Sequence, residues 1–307
     1  MRPAVTIGSR GSKLALTQTE HVADLLRAAS PGIVVRVEII STKGDRVLDK
    51  PIAAIGGKGL FTEDLEAALR DSSIDLAVHS LKDLPTEEPE ALCLGAVPAR
   101  ATPNDALVCA KWACLEDVPD GARVGTSSLR RRAQLLARKP GLDVVDIRGN
   151  VDTRIAKVLD KKEMDAAILA CAGLERIGRT DAIAEVLPAD VMLPAPGQGA
   201  LGIQARADDD ELLSLLEKIH DAAAAAETVA ERAMLAALGG GCQVPIGALA
   251  RTAGDGLTLQ GCVCSLDGTQ VLRTEVSGNA GDAEVLGNQA AENLLAAGAN
   301  AIVAELI

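Results

Sequence analysis

Residues 74–85, Ile-Asp-Leu-Ala-Val-His-Ser-Leu-Lys-Asp-Leu-Pro, decide the fold. Ile74–His79 reads as an apolar strand of the kind buried on both faces in a parallel sheet. It runs into His79, Ser80, Lys82 and Asp83, and Pro85 then prevents simple continuation. Open α/β sheets present ligand-binding groups in this way, at the carboxyl ends of their strands. On the N-terminal side, Ala4–Gly8 is a short apolar strand and Ser12–Ala29 has a helical period carried by Leu14, Leu16, Val22, Leu25 and Leu26. Ile33–Ile40 is the next strand, and Leu60–Leu69 is a helix with Thr62 at its N-cap. This βαβ rhythm predicts a doubly wound domain.

The rhythm repeats further on. Arg123–Gly125, Leu142–Ile147 and Ala166–Ala170 read as strands, and Ser127–Arg138 and Val151–Leu159 as helices. Leu193–Gln204, LPAPGQGALGIQ, is rich in Pro and Gly and then apolar, which suits a crossover returning a strand to the first domain. Two α/β lobes joined by crossovers are expected to bind ligand in the cleft between them. Asp221–Leu238 is an Ala-rich helix that stops at Gly239-Gly240-Gly241. Beyond it, Ile246–Arg251, Leu257–Ser265 and Val271–Ser277 are strands separated by the turns Gly254-Asp255-Gly256 and Asp267-Gly268, and Ala283–Ala297 is a closing amphipathic helix. The expected fold is therefore α/β: two doubly wound lobes plus a small α+β C-terminal domain with an antiparallel three-stranded sheet. The domains are residues 1–99 with 194–217, residues 100–193, and residues 218–307.

A chain of 307 residues, 48% apolar and 24% charged, has ample material for several packed interiors. Aromatic residues make up only 1% of it, so Ala, Val, Leu and Ile must build the cores, and the scarcity of stacking side chains weakens a single-stranded nucleic-acid reading. A net charge of −12 repels nucleic acid and acidic membranes alike. Against that background Arg123 to Arg154 holds seven Arg and one Lys with three Asp, a basic island that suggests a specific anionic ligand. Seven cysteines without a CxxC pair, and three histidines, argue against a zinc site and for reduced thiols in the cytosol. The start, MRPAVTIGSR, moves directly into a strand without an apolar leader, and no run is long enough to span a membrane.

Four features point to chemistry. Three strand-to-helix junctions, at residues 8–12, 125–131 and 148–154, combine small residues, a hydroxyl or amide cap, and arginine. Helix N-termini attract anions, and guanidinium forks match carboxylate or phosphate. At Lys82-Asp83 a carboxylate beside a cation stays ionised if half-buried, and can accept a proton or stabilise a cation. Gly239-Gly240-Gly241-Cys242 sets a thiol on an open backbone, as a nucleophile or a cofactor attachment. A nucleophile would need His79 as its base. Residues 41–61, long and Gly-rich, suit a lid closing Lys58 and Phe61 on a ligand. Cys262 and Cys264 lie on one face of one strand, which suggests burial. From these residues alone, an anion-binding sensor without chemistry and a Cys–His acyl transferase remain open beside an enzyme that carries a covalent group on Cys242.

Taken in order, SRGSKLALTQ, GGKGLF, DLAVHSLKDLP, GTSSLRRR, RGNVDTR, LPAPGQGALGI and GGGCQVPIGA resemble the porphobilinogen deaminase (hydroxymethylbilane synthase) family over essentially the whole chain. The resemblance implies two lobes like those of periplasmic binding proteins, and a dipyrromethane cofactor held by a thioether to Cys242. It implies a transferase of tetrapyrrole (heme and porphyrin) biosynthesis, cytoplasmic and monomeric, acting on porphobilinogen and not on nucleic acid or membrane. Four porphobilinogen molecules are condensed head to tail with release of ammonia, and water frees linear hydroxymethylbilane. Loss of ammonia leaves an electrophilic methylene-pyrrolenine, and Asp83 matches the family's catalytic Asp. Lys82, Asp83, Ser128, Arg130, Arg131, Arg148 and Arg154 match cofactor-binding positions. Arg10, Ser12, Gln18, Arg148, Arg154, Arg176 and Gln198 match positions for substrate, whose acetate and propionate arms make the growing chain a polyanion. No metal is implied. Ala54 departs from the basic residue often found ahead of GGKGLF.

Overall fold

The structure is a computed structural model that describes residues 2–42, 62–240 and 244–304. Lys58, Phe61, Ala54 and Cys242 lie outside the described residues. The strands are β1 (Ala4–Ser9), β2 (Val34–Ile39), β3 (Leu76–Ser80) and β4 (Leu92–Ala96), then β5 (Asp105–Cys109), β6 (Arg123–Gly125), β7 (Asp143–Val145), β8 (Ala166–Ala170) and β9 (Ile183–Val186). They end with β10 (Leu201–Arg206), β11 (Ile246–Ala253), β12 (Gly256–Cys264) and β13 (Val271–Asn279). The chain divides into two compact units, residues 1–100 with 200–225, and residues 101–199 with 226–307.

In the first unit the sheet order is β2-β1-β3-β10-β4. β1 runs parallel to β2 and β3, and β10 runs antiparallel to β3 and β4. Alternation along β3 explains its burial on both faces. Leu76 and Val78 join Val5 and Ile7 against the helices Lys13–Ala29 and Asp210–Leu216, through Val22, Leu26, Leu212 and Leu216. Ala77 faces the other way, onto Leu65 and Leu69 of the helix Glu63–Arg70. A fully buried Leu contributes about 1.5–3 kcal/mol, so this two-sided aliphatic packing fixes the strand that decides the fold. At the amino ends of β1 and β3, Arg2 pairs with Asp75 and with Asp209 (2.7 Å), while Arg206 donates to the Leu69 and Ile74 carbonyls at 2.8 Å each. That charged staple leaves the carboxyl ends for other work.

The second unit repeats the plan. Its sheet runs β7-β6-β8-β5-β9, with β6 parallel to β7 and β8, and β5 antiparallel to β8 and β9. Leu107, Val124, Val144 and Ile168 pack with Leu135 of the helix Leu129–Arg138, and the helix Val151–Leu159 packs against β5 and β8. A separate antiparallel sheet, β11-β12-β13, buries Ile246, Ala248, Leu259 and Val263 under Met234, Leu286, Ala290 and Leu294. Its opposite face carries Leu249, Cys262 and Cys264 onto Ala133 and Leu193. Cys262 and Cys264 are therefore buried on one face, as their spacing predicts.

Several sequence expectations are corrected. Thr62 precedes its helix, but its hydroxyl makes no cap bond, because Thr62 is already in helical backbone geometry. The Pro/Gly-rich connection does return a strand to the first sheet as expected: Gly197 and Gly199, at φ 74° and 88°, turn the chain before β10 begins at Leu201 and pairs with β3. β4, β5 and β9 were not read as strands. Each is short, four or five residues, and lies between stretches without periodicity.

Candidate functional site

In the first unit, Ser9 closes β1 and Arg10-Gly11-Ser12 leads into the helix Lys13–Ala29. Ser12 caps it, its hydroxyl accepting the Ala15 N–H at 3.2 Å. One turn later Gln18, buried, donates Nε2 to Ser80 Oγ at the end of β3 (2.9 Å), and Thr19 donates to Ser9 Oγ at 2.7 Å. The helix is thereby pinned to both strand ends. β3 passes into a single 3-10 turn, Leu81–Asp83, closed by the Leu84 N–H on the Leu81 carbonyl (3.1 Å). Leu81 is fully buried and donates its N–H to the Ala200 carbonyl at 3.0 Å. Anchored in this way, the turn leaves Lys82 half-buried and Asp83 exposed.

His79, at the end of β3, is buried, and desolvation lowers its pKa to about 4; the neighbouring Gln204 side chain opposes the shift and the Arg10 charge adds to it. An imidazole so weakly basic cannot serve as the general base of a thiol near neutral pH. This removes the feature on which a Cys–His acyl transferase would depend.

In the second unit, Ser128 caps the helix Leu129–Arg138 by accepting the Arg131 N–H at 3.4 Å. Ser127 ties the end of β6 to that of β7, donating to the Ile147 carbonyl (2.8 Å) and accepting the Ile147 N–H (3.1 Å). Beyond β7, Arg148 is half-buried, and Asn150 begins the next helix without a side-chain cap bond. Arg154 Nε donates to the Gly149 carbonyl at 2.8 Å. Arg176 closes the short helix after β8, and its Nη2 donates to the Gly199 carbonyl at 2.7 Å. Burial lowers its pKa to about 10, so it stays cationic at neutral pH. Ser128, Arg148, Arg154 and Arg176 thus follow β6, β7 and β8, at the carboxyl ends of parallel neighbours.

Arg130, Arg131 and Gln198 have a further setting that the sequence did not reveal. All three are buried around Asp105, the first residue of β5, which is 0% exposed. Arg130 Nη1 donates to Asp105 Oδ2 at 2.7 Å and to the Leu193 carbonyl at 2.7 Å. Arg131 reaches Oδ1 through Nε (3.0 Å) and Nη2 (2.7 Å), and Gln198 Nε2 reaches it at 2.9 Å. Burial works against ionisation of Asp105, but the two guanidinium groups hold its carboxyl well below the usual range. Nearby, burial, with the Asp105 and Glu175 charges, pushes the Cys171 thiol up to about 12, so it is inert.

A second carboxylate missed in the sequence is Glu231, 0% exposed on the helix Ala222–Ala237. It accepts the Gly197 N–H at 2.7 Å and the Ala250 N–H at 2.8 Å. Its spacing of four from Glu227 in an Ala-rich helix was a usable signal. Asp105 gave no signal, because β5 itself was not recognised.

Within the first unit, guanidinium, hydroxyl and amide groups follow β1 and β3 together with the exposed Asp83 carboxylate, and within the second, guanidinium and hydroxyl groups follow β6, β7 and β8; each set suits the recognition of carboxylates. Comparison with known proteins makes this specific. Residues 5–214 match the family described as porphobilinogen deaminase, dipyromethane cofactor binding domain, and residues 225–296 match its C-terminal domain. Porphobilinogen deaminase of Roseiflexus castenholzii is 53% identical over 304 residues, covering 99% of this chain and 100% of that protein. The Desulforudis audaxviator enzyme is 50% identical over 306 residues, covering 100% and 99%. Among solved structures, a periplasmic substrate-binding protein of an ABC transporter from Coxiella burnetii is 14% identical with a TM-score of 0.43, covering 71% of this chain and 92% of that one. The chain belongs to the porphobilinogen deaminase family. It is a transferase of porphyrin biosynthesis that uses a dipyrromethane cofactor. Among the described residues no helix is long and apolar enough to cross a membrane.

Proposed function

We propose that this chain joins porphobilinogen units head to tail with Asp83 as its proton-handling carboxylate and Cys242 as the anchor of the dipyrromethane. The observation that carries the assignment is the end of β3. Leu81 is locked in the core, and the turn it anchors holds Asp83 in the open beside Lys82. A carboxylate spent on structure would be buried and multiply bonded, as Asp105 is.

The residues present fit the cofactor. Its carboxylate arms call for several cationic donors, and the second unit supplies Arg148, Arg154 and Arg176 at strand ends. Arg130 Nε is buried without a hydrogen-bond partner among the described residues, so this guanidinium retains a donor for an anion. Lys82, Asp83, Ser128, Arg130, Arg131, Arg148 and Arg154 would hold the cofactor, and Arg10, Ser12, Gln18, Arg148, Arg154, Arg176 and Gln198 the substrate arms. When bound, the dipyrromethane supplies the free pyrrole α-carbon to which the first unit is joined. Asp83 accepts the hydrogen bond of a pyrrole N–H, stabilises the positive charge that develops as ammonia leaves, and takes up the proton released at the α-carbon. The arginines bind carboxylates equally before and after each addition, so they orient the chain while Asp83 carries the chemistry.

The described cysteines are free thiols, which supports a reducing, cytoplasmic setting; that the chain acts as a monomer is part of the proposal and rests on the family resemblance alone. Intact mass and kinetics test the reading together. Wild-type protein should carry a two-pyrrole adduct that is absent from Cys242→Ser. Asp83→Asn should fold normally, because Asp83 is exposed, and lose about 10²–10⁴-fold in kcat. Bare-chain mass in protein that still makes bilane, or an active Asp83→Asn, would refute it.

A further inference from the structure

We propose that Asp105 is a positioning residue for carboxylate capture, acting through Arg130 and Arg131; the proposal rests on the cofactor reading above. Among the described residues two cations meet one anion here, so the cluster keeps one positive charge in excess in a buried place. A buried cation with an unanswered donor is costly unless something pairs with it, and among the described residues Arg130 Nε is such a donor. One carboxylate supplies both the missing charge and the missing acceptor.

Asp105 gives this arrangement its geometry. Arg130 and Arg131 are sequence neighbours on a helix, roughly 100° apart around its axis, and they would repel each other without an anion between them. Oδ2 takes one guanidinium and Oδ1 the other, and further bonds to the Leu193 and Ile168 carbonyls fix both forks. Gln198 closes the set by bonding Oδ1 and the Pro103 carbonyl (2.7 Å). Without Asp105 the incoming carboxylate would have to organise two mobile cations itself. With Asp105 it meets a preformed site whose residual charge matches a single carboxylate.

The test uses full chains of wild type, Asp105→Glu and Asp105→Asn, produced without cofactor and then given porphobilinogen. Conversion of bare mass to the two-pyrrole adduct is followed in time, with thermal melts and circular dichroism on the same samples. Asp105→Glu keeps the charge but shifts the carboxylate by one methylene. It should fold, yet load about tenfold or more slowly, because misplacement of an orienting group is costly even when the group is retained. Asp105→Asn should load more slowly still, and chloride should inhibit it more strongly than wild type, because two uncompensated cations now attract small anions. Loading of folded Asp105→Glu and Asp105→Asn at the wild-type rate would overturn the proposal. So would a deficit that vanishes once rates are corrected for the folded fraction, which is what a purely structural role gives. A wild-type chain that never gains the adduct would overturn the cofactor reading, and the Asp105 proposal with it.

Discussion

Replacing Glu231 by Gln changes one atom and should cost far more than its size suggests. The carboxylate serves two buried N–H groups, Gly197 on Oε2 and Ala250 on Oε1, and so joins the Ala222–Ala237 helix to the Pro/Gly-rich connection and to β11. An amide has one oxygen. Whichever N–H it serves, the other then faces an NH2 group, donor against donor. Backbone bonds to a charged acceptor contribute about 1.5–3 kcal/mol each, and leaving a buried N–H unanswered costs about 1–3 kcal/mol. The retained bond is weakened to neutral strength, so the total loss is about 2–4 kcal/mol, against a stability on the order of 5–15 kcal/mol. Denaturant midpoints measure the total, and amide hydrogen exchange at Gly197 and Ala250 locates it. One of those amides should exchange much faster while distant core amides follow the global change. A loss below about 0.5 kcal/mol, with both amides still protected, would show that the carboxylate does not hold these elements together.

Two further outcomes follow from groups near the strand ends. His79 has a folded pKa of about 4 against 6.5 for the free side chain, so the unfolded chain binds the extra proton first. Its contribution is complete above pH 6.5 and is lost as pH falls toward 4, on the order of 3 kcal/mol by linkage. His79→Gln should flatten the stability profile over that window, and an unchanged slope would refute the burial argument. Gly199→Ala should lower stability by about 2–5 kcal/mol, because φ is 88° and the new Cβ would lie 2.5 Å from the Ala101 carbonyl oxygen; an unshifted melting curve would contradict it.

Much of this architecture was readable where local chemistry and periodicity agree. Ser12 and Ser128 announce helix starts and both act as caps, whereas Thr62 and Asn150 carry the same signal without making the bond. At Thr62 the helical backbone angle prevents the bond, whereas Asn150 has the extended backbone of a cap and its side chain still does not make it. The segments 123–125, 151–159 and 166–170 fell on their observed bounds, since each is bracketed by turn residues and has one clear period. β4, β5 and β9 were hidden because none of them adjoins an α-helix, so the βαβ rhythm that marks the equally short β3 and β8 does not reach them. With β5 went Asp105, whose meaning depends on two arginines 25 and 26 positions away. The strand-end residues Arg10, Ser12, Lys82, Asp83, Arg148 and Arg176 were legible because the βαβ rule assigns those positions before any contact is known.

One consequence of the strand order concerns synthesis. β10 lies between β3 and β4, yet it leaves the ribosome after β5 through β9. The first sheet is therefore started before the second and finished after it. For more than a hundred residues of elongation (Ala96 to Leu201) the nascent β4 has no neighbour in its own sheet and one edge of β3 is open, and β5 through β9 of the second sheet are made during that interval. Exposed edges of this kind invite pairing with other chains. The stretch of translation between residues 96 and 201 is thus the interval in which the nascent chain most needs shielding.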